Sequence, residues 1–146
     1  MFDLTSLGWD DPRAEEFRSP ARVGLTPGRV SVQHRGVWDV LTAGGALRCD
    51  LAGRLYDTHR PEDHPAVGDW VAVAARPDER AGTIQAVLPR RTEFSRKAAG
   101  RVTEAQVVAA NVDVVFIVSS LNEDLNLRRL ERYLTLAWES AAQPVL

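Results

Sequence analysis

The sequence predicts a small five-stranded β-barrel of the OB type, followed by the opening, incomplete βα(β) unit of an α/β domain. Three observations carry this expectation. Between residues 29 and 89, five short runs alternate apolar and polar residues, the period of a half-buried strand. Tight-turn signals separate the first three runs, and a long connection follows the third, as in an OB barrel. After Gly100 the pattern changes to a strand that is apolar on both parities, then to a helical stripe. An SH3-like barrel also has five strands and is the alternative for the first part.

The elements follow in order. Residues 1–28 form a lead-in of poor periodicity, broken by Pro12, Pro20 and Pro27, with a short helical turn expected near Asp11 to Phe17 and little more. The barrel is expected over residues 29–89. "RVSVQH", from Arg29, sets Val30 and Val32 against Ser31 and Gln33. "RG" at Arg35 and Gly36 turns into "VWDVLTA", and "GG" at Gly44 and Gly45 leads into "ALRCDLAGRL", where Leu47, Cys49 and Leu51 share a face. Two short turns joining three alternating runs give an antiparallel meander. "YDTHRPEDHPAVGD" is too rich in Pro, Asp and His for regular structure. Gly68 and Asp69 make the turn into the fourth strand, "WVAVAA", and "RPDER" leads to the fifth, "GTIQAVL". Trp70 is expected in the core. Trp38, in a strand beside a polar turn, reads equally well as core or as a ring on which a base stacks.

Residues 90–108 are expected to be a basic linker, in which Arg90, Arg91, Arg96, Lys97 and Arg101 face one acid, Glu93. A solvated connection and a phosphate-contacting stripe are both consistent with such a run. Lys97 is the only lysine, so arginine carries nearly all the positive charge; its guanidinium forks onto phosphate oxygens and stacks on bases. Residues 109–146 open the α/β domain. Val112 to Val118 read as a strand buried on both faces, and Asn126 as a helix N-cap. Leu127, Leu130, Leu134, Ala137, Trp138 and Ala141 form an apolar stripe, and Pro144 to Leu146 start a second, parallel strand. Without the rest of a sheet, these side chains are expected to pack on the barrel or to drive self-association.

Composition narrows the function classes. At 45% hydrophobic and 26% charged residues the chain is globular rather than disordered. Its longest apolar run is far too short to span a membrane, and its acidic N-terminus does not resemble a secretory leader. One cysteine, Cys49, fits a reducing cytoplasm. No G-x-x-x-x-G-K-[ST], G-x-G-x-x-G or N/T-K-x-D occurs, so nothing in the sequence matches a nucleotide site, and no catalytic residue is expected. His34, His59, His64 and Cys49 lack metal-ligand spacing and read as surface histidines and a lone thiol. Ser119 and Ser120 lack the G-x-S-x-G turn of a nucleophile and read as loop residues. Binding remains. The candidates for RNA contact are Arg29, His34, Arg35, Trp38 and Arg48 on the first three strands, with Arg90, Arg91, Arg96 and Lys97 in the linker.

Four stretches then carry a resemblance: "LGW" near the N-terminus, "GRVSVQHRGVWDVL" with "VGDWV", "LPRRTEFSRKAAG", and "ANVDVVFIVSSLNEDLNLRRLERYLTLAWES". Together they are similar to the ribosome small-subunit-dependent GTPase A family, whose GTPase domain is circularly permuted. The likeness runs along nearly the whole chain, and it adds weight to the OB barrel. It implies that the barrel binds ribosomal RNA of the small subunit, in a GTPase acting in late subunit maturation. It also implies GTP, Mg²⁺ and a structural Zn²⁺ in the full-length protein, held by residues that would follow Leu146. The chain is accordingly expected to be part of a longer cytoplasmic protein and to lack GTPase activity by itself. The alternative is a free-standing OB module that binds nucleic acid without catalysis.

Overall fold

The computed structural model describes residues 1–56, 64–97, 105–120 and 125–146. The alternating runs become β1 (Thr26–His34), β2 (Val37–Thr42), β3 (Gly45–Leu51), β4 (Trp70–Arg76) and β5 (Ala81–Val87). They close into a barrel in the order β1-β2-β3-β5-β4, with β4 pairing back onto β1. Every pairing is antiparallel except β3 with β5, which needs the long connection after β3. This is the expected OB barrel. Its first strand begins at Thr26 rather than Arg29, because Thr26 to Arg29 pair with β4. The inward residues Val30, Trp38, Val40, Leu47, Cys49, Leu51, Val71, Val73 and Ile84 form the core. In β3 the expected face of Leu47, Cys49 and Leu51 points inward. The β1–β2 turn has Gly36 at a φ of 76°, a left-handed conformation that glycine takes without a side-chain clash.

The lead-in does far more than expected. A 3-10 turn at Thr5–Leu7 is followed by α1 (Asp11–Glu16) and α2 (Arg18–Arg22). Asp10 caps α1, accepting from the Arg13 backbone N–H at 3.0 Å, and Pro12 sits in the first turn, where its missing N–H costs nothing. Leu4, Leu7, Trp9, Phe17 and Leu25 cover the outside of β4 and pack on Trp70, Ala72 and Leu88. Trp9 meets Trp70 edge-on, with ring centroids 4.8 Å apart. β4 is therefore buried on both faces, inward through Val71 and Val73 and outward through Trp70 and Ala72.

Beyond the barrel, β6 (Glu93–Lys97) and β7 (Ala105–Ala110) pair antiparallel, so the stretch expected as a basic linker contains paired strands. β8 (Val114–Phe116), α4 (Leu127–Glu139) and β9 (Gln143–Val145) then make the expected βαβ unit, with β8 and β9 parallel. A single helical turn, α3 (Gly53–Tyr56), follows β3. Asn126 caps α4 by accepting from the Arg129 N–H at 3.0 Å. The expected two-faced burial of the strand is not observed. Phe116 is 75% and Val118 91% exposed, since β9 is the strand's single ladder partner among the described residues. On α4, Leu130 and Ala137 are buried while Leu127 and Trp138 lie open, so the apolar stripe is only partly covered. No helix among the described residues is long and apolar enough to cross a membrane.

Candidate nucleic-acid interface and the polar junction beside it

The nine residues expected to touch RNA fall into three groups. His34, Arg35 and Arg48 are exposed on the outside of the barrel. Pairing places Asp39 of β2 between Val32 of β1 and Arg48 of β3, and Arg48 beside Ala81 of β5. His34 Nε2 lies 3.1 Å from Asp39 Oδ2, and Arg35 occupies the β1–β2 turn. Arg80, not among the residues picked out by sequence, joins this surface. Its carbonyl accepts from the Arg48 N–H at 3.0 Å, and its φ is 50°. An open cleft of ≈ 570 Å³ beside it is lined by Thr42, Gly44, Gly45, Ala46, Pro77 and Arg80. The signal was present in the sequence, since this arginine ends "RPDER", a turn that must lie on the surface.

Four candidates are engaged by other parts of the molecule, Trp38, Arg29 and Arg90 wholly or partly buried and Arg91 in an exposed pair. Trp38 is a core residue, 3% exposed, and its indole N–H donates to the Pro65 carbonyl at 2.8 Å, so its ring is out of reach of a stacking base. Arg29 spends its guanidinium on carbonyls: Nε on Gly68 at 3.2 Å, Nη2 on Asn111 at 2.7 Å and Nη1 on Leu7. Burial lowers its pKa, and its guanidinium carbon lies 5.8 Å from the Trp70 ring centroid. Arg90, 13% exposed, forks onto the fully buried Asp69, with Nε 2.9 Å from Oδ1 and Nη2 2.7 Å from Oδ2. Burial works against the Arg90 charge, but the Asp69 carboxylate outweighs it and raises the pKa. Arg91 forks onto Asp10 at 2.5 and 2.7 Å, and the same bond holds the Asp10 carboxyl well below the usual range. The side chains of Arg96 and Lys97, and residue Arg101, lie outside the described part, as does His59.

These arginines belong to a junction that no local sequence pattern announces. It joins the lead-in, the β4 turn and the approach to β8. Arg13, 1% exposed, donates to the Glu16 carboxylate, the Pro89 carbonyl and Asn111 Oδ1. Asn111 also accepts from the Arg91 N–H at 3.0 Å and donates to the Gly68 carbonyl at 3.1 Å. Gly68 has a φ of 90°, and a Cβ there would lie 2.0 Å from the Ala110 carbonyl oxygen. Only glycine allows the two backbones this approach.

No catalytic constellation accompanies these groups among the described residues. Ser119 Oγ donates to the Ser120 carbonyl at 3.3 Å, an ordinary loop contact. No group of three His, Cys, Asp or Glu is placed to hold a metal there. Cys49 is buried in the barrel core, and burial pushes its thiol up to about 12.

A profile described as RsgA GTPase matches residues 87–146. Across 98% of its length the chain is 47% identical to the small ribosomal subunit biogenesis GTPase RsgA of Opitutus terrae, covering 41% of that protein. It is 46% identical, again over 98% of the chain, to the protein of the same name from Streptomyces coelicolor, of which it covers 38%. The chain thus spans about two fifths of the length of these relatives. In fold it is similar to YjeQ from Thermotoga maritima, with a TM-score of 0.59 at 24% identity over 82% of this chain and 39% of that one. It is also similar to YloQ, described as a circularly permuted GTPase, with a TM-score of 0.58 at 21% identity over 83% of this chain and 39% of that one.

Proposed function

From the premise that this chain belongs to the RsgA GTPase family, we propose that it supplies the RNA-docking barrel and the first βαβ unit of a cytoplasmic GTPase acting in small-subunit biogenesis. The observation that carries the reading is the similarity to RsgA proteins over 98% of the chain, barrel included. The barrel's outer cations add a physical means of docking. Net charge is −2, so the chain as a whole gives no attraction for RNA, and affinity must come from local contacts. Arg35 and Arg48 are the two barrel candidates whose guanidinium groups have no protein partner among the described residues, and each can fork onto phosphate oxygens. His34 adds charge only when protonated, beside Asp39.

The residues present do not fit a guanine nucleotide. The chain has no glycine-rich phosphate loop, and the described residues gather no metal-ligand set. The GTP, Mg²⁺ and Zn²⁺ of the family resemblance are therefore assigned to no residue here, and no step of hydrolysis is derived from this chain.

Charge reversal at Arg35 and Arg48 together tests the docking surface. Binding to purified small subunits should weaken at least tenfold near physiological salt. The salt dependence of affinity should also become shallower, because fewer neutralised phosphates release fewer counterions on binding. Unchanged affinity and slope would sink this assignment.

A further inference from the structure

The buried polar groups between lead-in, barrel and βαβ unit converge on Asn111. It is 8% exposed and has a φ of 54°, a conformation that asparagine adopts more readily than most residues. Its Oδ1 accepts from Arg13 Nη2 at 2.7 Å and from the Arg91 N–H at 3.0 Å. Its Nδ2 donates to the Gly68 carbonyl, its own carbonyl accepts from Arg29, and its N–H donates to the Thr92 carbonyl at 2.8 Å. One residue therefore touches the lead-in, the barrel and the strand leaving the barrel.

The position matters because the chain passes this point twice. Residues 88–92 leave β5 for the β6–β7 hairpin, and residues 110–113 leave that hairpin for β8. Thr92 Oγ1 ties the two passages, donating to the Val112 carbonyl and accepting from the Val112 N–H. Beside them, Val67 bridges to Ala109 and the Ala110 N–H donates to the Val67 carbonyl at 2.9 Å. Arg13 comes from 98 residues away in sequence, yet its guanidinium closes this site. A buried guanidinium is costly unless every donor direction finds an acceptor, so its partners restrict how the pieces can sit.

We propose that Arg13 and Asn111 form a clasp that holds the βαβ unit in one fixed orientation to the barrel, with the lead-in acting as its closing arm. The clasp works whether or not the barrel binds RNA, so its test reads geometry alone. Spin labels at Ala46→Cys on β3 and Glu131→Cys on α4, both exposed, report the distance between the two units, while Cys49 stays buried and unlabelled. The starting protein should give a single narrow distance distribution. Asn111→Gly keeps the positive φ and removes the side chain; Arg13→Met keeps an unbranched side chain and removes the hydrogen bonds. Each should at least double the width of the distribution, and the double variant should be no broader than either single one. If Arg13→Met undocks the lead-in, seen as a change in Trp9 and Trp70 fluorescence, Asn111→Gly alone decides. A native width in Asn111→Gly, with native circular dichroism, overturns the clasp.

Discussion

The barrel and the βαβ unit are written in the same residue types yet meet solvent in opposite ways. In the barrel, Val40, Val71, Val73 and Ile84 are wholly buried in a shared core. In the βαβ unit, Phe116, Val118 and Trp138 stand largely in water at 75%, 91% and 64% exposure. A closed barrel satisfies its own sheet edges and fills its own interior, so its stability is local to it. A two-stranded parallel ladder with one helix has a covered side and an uncovered side, and parallel sheets are stable when both faces are covered. The contrast separates a unit that is complete from one whose patterning calls for more surface than it has.

The largest effect that would sharpen this contrast lies at the barrel's rim. Asp69→Ala takes the buried carboxylate from the Arg90 guanidinium, leaving it the exposed Glu93 at 3.5 Å and the His64 carbonyl, and removes the acceptor of the Ala66 N–H, which lies 2.8 Å from Oδ2. Breaking a buried pair on one side costs about 3–5 kcal/mol, to be read from the urea midpoint. A loss under about 1 kcal/mol would mean that the pair does not anchor the barrel.

Next come two truncations made in parallel. Ile84→Ala opens a cavity in the barrel and should cost ~2–5 kcal/mol. Trp138→Ala removes a larger side chain from an exposed position and should change stability by no more than about 0.5 kcal/mol. It should also reduce any self-association seen by sedimentation, as expected of an open apolar surface. A costly Trp138 truncation in monomeric protein would break the contrast, because it would show that surface to be covered.

These regions also differ in how legible they were. Alternation in β2 and β3 fixes which residues point inward, so Leu47, Cys49 and Leu51 could be placed without a structure. The stripe of α4 was equally readable, but periodicity names the face that wants burial and says nothing about whether a partner is there. The lead-in escaped because each of its short helices offers only one or two apolar residues, and Trp9 finds Trp70 across 61 positions of chain. The partners of the basic run escaped for the same reason. Arg90 and Arg91 are neighbours in sequence, but their partners Asp69 and Asp10 are 21 and 81 residues distant, so two charges of the run are engaged within the chain, Arg90 in a buried pair and Arg91 in an exposed one. Long-range polar partners leave no local pattern.

A smaller effect tests whether α4 is folded in its own right. Asn126→Ala removes the acceptor for the Arg129 N–H and should cost about 1 kcal/mol, visible as lost helical ellipticity near the transition. No change at all would mean that the helix is held only by its packing through Leu130 and Ala137.

The smallest effect comes from Asp10, which has two jobs that one substitution separates. Its carboxylate caps α1 through the Arg13 N–H and pairs with Arg91 on the surface. Asp10→Asn keeps an acceptor for the cap and removes the charge. The Arg91 hydrogen bond is the main reason the carboxyl is held below its ordinary value, with the Arg13 N–H adding to it. A carboxyl with a depressed folded pKa contributes stability above its unfolded pKa, near 4, and that contribution fades as pH falls toward the folded value. Thermal midpoints measured between pH 2 and 6 should therefore fall less steeply on acidification in Asp10→Asn than in the starting protein, and the two curves should converge at the acid end. Added salt should shrink the gap at pH 6, since the pair is exposed and screened. Parallel curves across the whole range would show that the lead-in is held by Trp9, Phe17 and the cap alone, with the Arg91 pair contributing nothing to its docking.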